Sequence, residues 1–139
     1  MKLFEIVSLG KAGFIPYVIE RGLPIFMFMV PSDPRYGGEL PQIAKGSVDE
    51  GESKIVAAIR EAEEELGLRK SNIKNNTIKP VLKNNHITIY MGEVKNKEAF
   101  DKPHFETDSV HWLSAEEFKE KGRGIHKFAV AQAAKLLNI

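Results

Sequence analysis

The chain predicts an α/β fold: a mixed, α+β type sheet with helices packed on its faces. Three observations lead there. Short runs rich in β-branched and aromatic residues recur along the chain as far as Leu113. A strongly marked helix interrupts them at Ser53 to Leu66, and helical signals close the sequence. Strands and helices intermix without strict strand–helix–strand alternation, which favours a mixed sheet.

Taken in order, Leu3 to Leu9 and Phe14 to Ile19 read as strands, with Gly10 to Gly13 as the turn between them. Gly22 to Pro24 reads as a second turn. Ile25 to Val30 is a short apolar run bounded by prolines, best placed as a buried strand. Pro31 to Gly38 is a loop by composition, and its Arg35 and Tyr36 are candidates for phosphate and base contact. Ser53 to Leu66 is a helix followed by Gly67 in the place of a left-handed cap. Thr77 to Leu82 and Ile87 to Val94 read as strands around an Asn84-Asn85 turn, and Ser109 to Leu113 as another. Ser114 and Glu117 have capping-box spacing for a short helix, which Gly122-Arg123-Gly124 breaks. An amphipathic helix over Ile125 to Leu137, with Phe128, Ala131 and Leu136 facing inward, completes the chain.

The 139 residues fit one domain, 1–139, with one core. A 42% hydrophobic and 28% charged composition is that of an ordinary globular chain. The net charge of +1 gives no broad basic face, so DNA is not an expected partner. The absence of Cys excludes disulfides, thiolate zinc sites and cysteine nucleophiles, and suits a reducing compartment. Glu5 and Ser8 interrupt any signal-peptide core, and Ile25 to Val30 is too short to span a bilayer. A cytoplasmic protein without membrane partners, monomeric or homodimeric, is the expectation. His104, His111 and His126 lack zinc-ligand spacing.

The central helix carries the chemistry. At about 100° per residue, Ile55, Ile59, Ala62 and Leu66 form one apolar stripe, the predicted core face. Glu61, Glu64 and Glu65 gather on a sector roughly opposite it, at i, i+3 and i+4. Ala57 and Ala58 leave room beside that sector. Like charges at this spacing cost a few tenths of a kcal/mol per pair. Such a run can be a solvated face, with Arg60 and Arg69 as partners; it also suits a hard divalent cation, Mg²⁺ or Mn²⁺. The preceding Lys45 to Glu52 loop brings glycines that let a phosphate come close, and the helix N-terminus adds free N–H groups. Lys45 is placed to touch phosphate as a point charge. Tyr17, Phe28 and Tyr36 are candidates to stack on a base, with core packing favoured for Phe28.

Gly46, five residues, Glu52, seven residues, then Arg60-Glu61-Ala62-Glu63-Glu64-Glu65-Leu66-Gly67-Leu68 resembles the full Nudix box, G-x5-E-x7-R-E-U-x-E-E-x-G-U with U apolar. All nine constrained positions are filled, within 23 of the 139 residues. Ala12 to Pro16 looks like the family's opening strand, and Trp112 to Glu117 like its late strand-to-helix junction. Ala44-Lys45-Gly46 departs from the Pro-Lys-Gly or Pro-Gly-Gly of many relatives.

The resemblance implies an α/β/α sandwich with a loop-helix-loop catalytic motif. It implies a pyrophosphohydrolase in which Glu61, Glu64, Glu65 and the Gly46 carbonyl hold divalent metal, Mg²⁺ or Mn²⁺. Glu61 is the first choice as base, with Glu64 and Glu106 as rivals; Arg60 orients a Glu. Lys45, Arg35, Tyr36 and Glu52 are expected at the substrate. That substrate is a nucleoside diphosphate linked to another moiety, with an adenine compound such as a dinucleoside polyphosphate or ADP-ribose favoured. An RNA 5′ end or a nucleoside triphosphate is the alternative substrate, and a non-catalytic nucleotide-sensing module is the alternative of another class. An isopentenyl-diphosphate type isomerase would need a Cys, which is absent.

Overall fold

The structure, a computed structural model, describes residues 10–137. The strand expected over Leu3 to Leu9 lies outside the described residues. Strand β1 (Lys11–Glu20) is followed by β2 (Leu23–Pro31), β3 (Ala44–Ser47), helix α1 (Lys54–Leu66), β4 (Lys79–Lys83), β5 (Ile87–Glu93), β6 (Thr107–Leu113), α2 (Ala115–Lys121) and α3 (Lys127–Leu137). The six strands form one mixed sheet in the order β4-β5-β1-β2-β6, with β3 also on β1. Among the described strands, only β1 and β5 run parallel.

Several boundaries differ from the sequence reading. Lys11 to Gly13, expected in a turn, already belong to β1, because they pair with both β3 and β5. The hairpin turn is Arg21-Gly22, with φ of 55° and 77°, and Pro24 lies inside β2. Two positive φ values suit the right-handed twist of a two-residue hairpin. Strand β3 is missing from the sequence reading altogether: four residues carrying a glycine and a lysine show too little apolar alternation.

Strand β2 pairs with β1 only from Leu23 to Phe26, then diverges to pair with β6 from Phe26 to Pro31. The first half of β1 pairs instead with β3, from Lys11↔Ser47 to Phe14↔Ala44. A Met29↔Gln42 bridge ties β2 to the approach to β3. Three chain segments thus meet near Lys45, at the C-terminal half of α1.

Alternation along β1 divides the core into two layers. Ala12 and Phe14 face α1, with Met27, Met29, Ala44, Ala58, Ala62 and Leu66. Ile15 and Tyr17 face α3, with Phe26, Phe28, Phe118, Ala129, Val130 and Ala133. The result is the expected helix–sheet–helix sandwich. Helix α3 is rotated from its predicted setting: Phe128 is 70% exposed, and Ala131 and Leu136 also face outward. Ala129 and Ala133 are presented instead, so the helix backbone can lie close to the bulky Phe layer of the sheet. Among the described residues, no helix is long and apolar enough to cross a membrane.

Candidate active site

Helix α1 is fixed at both ends. Ser53 caps it, its hydroxyl accepting from the Val56 N–H at 3.3 Å. Gly67 ends it at φ 77°, and its N–H reaches back to the Ala62 and Glu63 carbonyls. The segment before β6 satisfies further terminal carbonyls. His104 N–H donates to Glu64 O at 2.9 Å, Thr107 Oγ1 to Glu65 O at 2.8 Å, and Asp101 N–H to Gly67 O at 2.7 Å. The same bonds bring Glu106 to the acidic end of α1.

The buried face of α1 differs from the predicted stripe. Ala57, Ala58, Glu61, Ala62 and Leu66 are buried, while Ile55 and Ile59 are only partly so. Ala57 and Ala58, expected to leave room for a ligand, admit the sheet instead, including Ala12 and Ala44. The carboxylates are therefore not opposite the core. Glu61 points into it, over β3, and the carboxyl occupies the space that a Cβ on Gly46 would take. Gly46 has no positive φ; it is needed because the acid comes so near.

Glu61 accepts from Arg60 Nη1 at 2.9 Å, and Glu65 accepts from the Lys45 N–H at 3.2 Å. The Glu61 and Glu65 carboxyls are near enough for each to perturb the other. Burial, with the neighbouring Glu61, pushes Glu65 up to about 8. Burial and Glu64 also raise Glu61, against the pull of Arg60. Glu64 stands apart, its side chain 39% exposed and 3.5 Å from Arg60 Nη1. Among the described residues, no three acidic or histidine side chains converge as a preformed metal cage. The expected trio is thus a close pair with a third carboxylate beside it on the more exposed side of the helix. All its donors are hard oxygens, two of the three acids crowded where like charge is costly. That donor set fits a hard divalent cation, whose charge would relieve the crowding.

Arg60 is a brace. Its Nε and Nη2 form a fork on Glu52 at 2.8 and 3.0 Å, and Nη2 also donates to Ser47 O at 3.0 Å. The fork holds Glu52 at about 2, with help from the Asp49 N–H. Glu52, expected at the substrate, instead has both oxygens engaged within the protein. Arg60, expected among the catalytic residues, sets the position of Glu61.

A cleft of about 330 Å³ opens beside this arrangement, lined by Lys11, Arg35, Tyr36, Lys45, Glu65, Glu106 and Arg123 among others. It brings together five expected site residues: Arg35, Tyr36, Lys45, Glu65 and Glu106. Glu61, Glu64 and Gly46 are not on its wall. The N-terminus of α1, expected to seat phosphate, is not on it either; the helix contributes only Glu65. Arg35 is partly spent, its guanidinium paired with Asp33 at 2.6 Å on the exposed rim. Burial lowers Lys45, and the nearby charges of Lys11 and Arg123 lower it further. A crowd of like charges around a half-buried ammonium suits an anionic ligand.

Lys11, Gln42 and Arg123 are absent from the sequence reading of the site. In the sequence, Arg123 is visible only as the charge between two helix-breaking glycines. Here Gln42, 5% exposed, accepts from Arg123 Nη1 at 3.4 Å and donates to the Tyr36 carbonyl at 3.1 Å. Of the candidate stacking rings, Phe28 and Tyr17 are buried, Phe28 against Phe118 at 4.2 Å, and Tyr36 is 68% exposed. His126 is a core residue: its Nδ1 accepts from the Ile43 N–H at 3.0 Å, and burial lowers it to about 3.

The NUDIX domain family model matches residues 20–133. No curated protein sequence matches the chain. Among solved structures, a C. elegans Ap4A hydrolase in a binary complex is 20% identical, with TM-score 0.74, covering 92% of this chain and 98% of its own. The Nudix hydrolase RenU of M. smegmatis is 13% identical with TM-score 0.73, covering 94% and 86% respectively. The NUDIX domain of Shewanella oneidensis NrtR, complexed with ADP ribose, is 12% identical with TM-score 0.70, covering 99% of each chain. These likenesses are of fold; the family model spans most of the sequence and takes in the acidic helix, and the chain belongs to the Nudix hydrolase family.

Proposed function

We propose that the protein hydrolyses a phosphoanhydride bond in a nucleoside diphosphate linked to another moiety, with an adenine compound such as a dinucleoside polyphosphate or ADP-ribose favoured. The observation that carries this is the meeting of Glu65 with Lys11, Lys45 and Arg123 in one cleft, backed by the buried Glu61. Nudix enzymes generally use divalent metal ions. Glu61 and Glu65 would hold the ion, with Glu64 turning in from the more exposed side of the same turn and the Gly46 carbonyl as a further ligand. A bound Mg²⁺ or Mn²⁺ supplies Lewis-acid polarisation of the phosphate and a more acidic water.

The chain's own residues do the rest. Lys45, Lys11 and Arg123 neutralise and orient the phosphates not in contact with the acids. Arg60 keeps Glu61 aimed through its fork to Glu52. Glu106 faces the cleft on an exposed turn and is better placed to take a proton from the attacking water than Glu61, which is buried, off the cleft wall and bonded to Arg60. Two structural neighbours, the Ap4A hydrolase and the NUDIX domain complexed with ADP ribose, favour the adenine reading.

The test is product release with Mg²⁺ or Mn²⁺ across Ap4A, ADP-ribose, nucleotide sugars, nucleoside triphosphates and 5′-triphosphorylated RNA. At least one adenine dinucleotide-type compound should turn over, and Glu65→Gln should lower kcat/KM by a factor on the order of a hundred or more. No turnover of any compound would mark a binding module instead. Preference for the RNA end would displace the adenine assignment.

A further inference from the structure

We infer that Tyr36 and Phe105 seat the base of a nucleotide in a groove at the mouth of the cleft. The inference rests on the nucleotide reading above and adds a residue, Phe105, and a place. Phe105 is 88% exposed and Tyr36 68%, an unusual outlay of aromatic surface to water at one edge of the molecule. Both line a single groove of about 530 Å³ with Ser32, Asp33 and Glu106. Tyr36 and Glu106 also line the cation-bearing cleft, so groove and cleft adjoin there.

The rings come from segments far apart in sequence, and hydrogen bonds join those segments. The Ser32 N–H donates to the Glu106 carbonyl at 2.8 Å, and the Ser32 hydroxyl donates to the Phe105 carbonyl at 2.7 Å. On the other side, buried Gln42 holds the Tyr36 carbonyl. The rings therefore stand on a braced frame, which reduces the ordering cost of binding. The occupant is argued from its surroundings. A flat aromatic group satisfies the rings, and an anionic tail leading from it reaches Lys45, Lys11 and Arg123. The Glu106 carboxylate, exposed at the junction of groove and cleft, suits an N–H donor on the edge of a base, while the Asp33 carboxylate is held by Arg35. A nucleotide combines all three features; a lipid chain has no use for the polar rim.

The probe is 2-aminopurine riboside 5′-diphosphate, whose fluorescence is quenched when its base stacks, titrated into the full chain with and without Mg²⁺. The wild type should quench it. Phe105→Ala and Tyr36→Ala should each weaken binding by about fivefold or more, Phe105→Trp should retain it, and circular dichroism should show each variant folded. In turnover of the best substrate of the panel, the alanine variants should raise KM by a similar factor and leave kcat within about twofold. A folded double alanine variant that quenches and turns over as the wild type does overturns the base seat while leaving the hydrolase reading intact. Ring-dependent quenching without turnover of any nucleotide upholds the seat and removes the hydrolase reading.

Discussion

At the residue scale, the packing of Glu61 against Gly46 is the tightest constraint at the site. The helix can bury an acid there only because β3 offers no side chain at that point. Gly46→Ala is permitted by the backbone, which has no positive φ at that position, so its cost falls on the carboxyl. It should leave the fold cooperative but lower the unfolding free energy by about 1–3 kcal/mol, as the buried carboxyl is forced aside. The dissociation constant for Mn²⁺, read by isothermal titration, should rise by about tenfold or more, as expected when a metal ligand is misplaced. Wild-type Mn²⁺ affinity in this variant would remove Glu61 from the metal site. Arg60 and Glu52 are legible as a pair from their place in the motif. Their fork geometry, and hence that they brace the site, is decided by the bend that brings Glu52 back onto the helix.

At the element scale, α1 is held in place by the segment downstream of it. Gly67 combines a φ of 77° with the backbone of Asp101 lying where a Cβ would project. Gly67→Ala should therefore meet both strain and a backbone collision, costing about 2 kcal/mol or more in a urea unfolding experiment. A loss under about 0.5 kcal/mol would mean that the 101–107 segment does not depend on this approach. The cap is legible from the sequence, since a glycine after a helical run is a strong stop signal. The rotation of its buried face is not: Ala62 and Leu66 of the predicted stripe are in the core, while Ile55 and Ile59 lie at its margin. Hydrophobicity alone puts the stripe of Ile55 and Ile59 in the core, whereas the sheet selects small residues, Ala57, Ala58 and Ala62, because they let the helix lie close. Helix α3 shows the same preference with Ala129 and Ala133.

At the scale of the whole molecule, two buried groups titrate in opposite senses. His126 binds a proton less readily folded than unfolded, with its value lowered from 6.5 to about 3. Its contribution is present above about 6.5 and is lost as pH falls toward 3. Glu65 in the metal-free protein is raised from 4.5 to about 8, so its contribution is full below 4.5 and is lost as pH rises through 8. Each slope is at most ~1.4 kcal/mol per pH unit, and between 4.5 and 6.5 they oppose one another. Metal-free unfolding free energy should therefore be nearly flat in that interval and decline on either side. Glu65→Gln should shrink the alkaline decline to what the raised Glu61 contributes and steepen the His126 slope, so that stability rises more from pH 4.5 to 6.5 than in the wild type. Urea unfolding across pH checks both. A wild-type curve that climbs through the interval as steeply as the variant's would show that Glu65 carries no raised affinity for a proton.

The sequence by itself determined the family, the sheet-and-helix class, the capped acidic helix and most of the acids, because these reside in local spacing: 3.6-residue periodicity, caps and a fixed motif. It could not determine which carboxylates would be neighbours of which cations. Lys11, Gln42 and Arg123 reach the cleft from three distant segments, and they meet only because β2 parts from β1 and β3 fills the opening. Tertiary structure also decided that Glu61 faces inward, since burial depends on what the sheet presents to the helix, and helical periodicity carries no record of that.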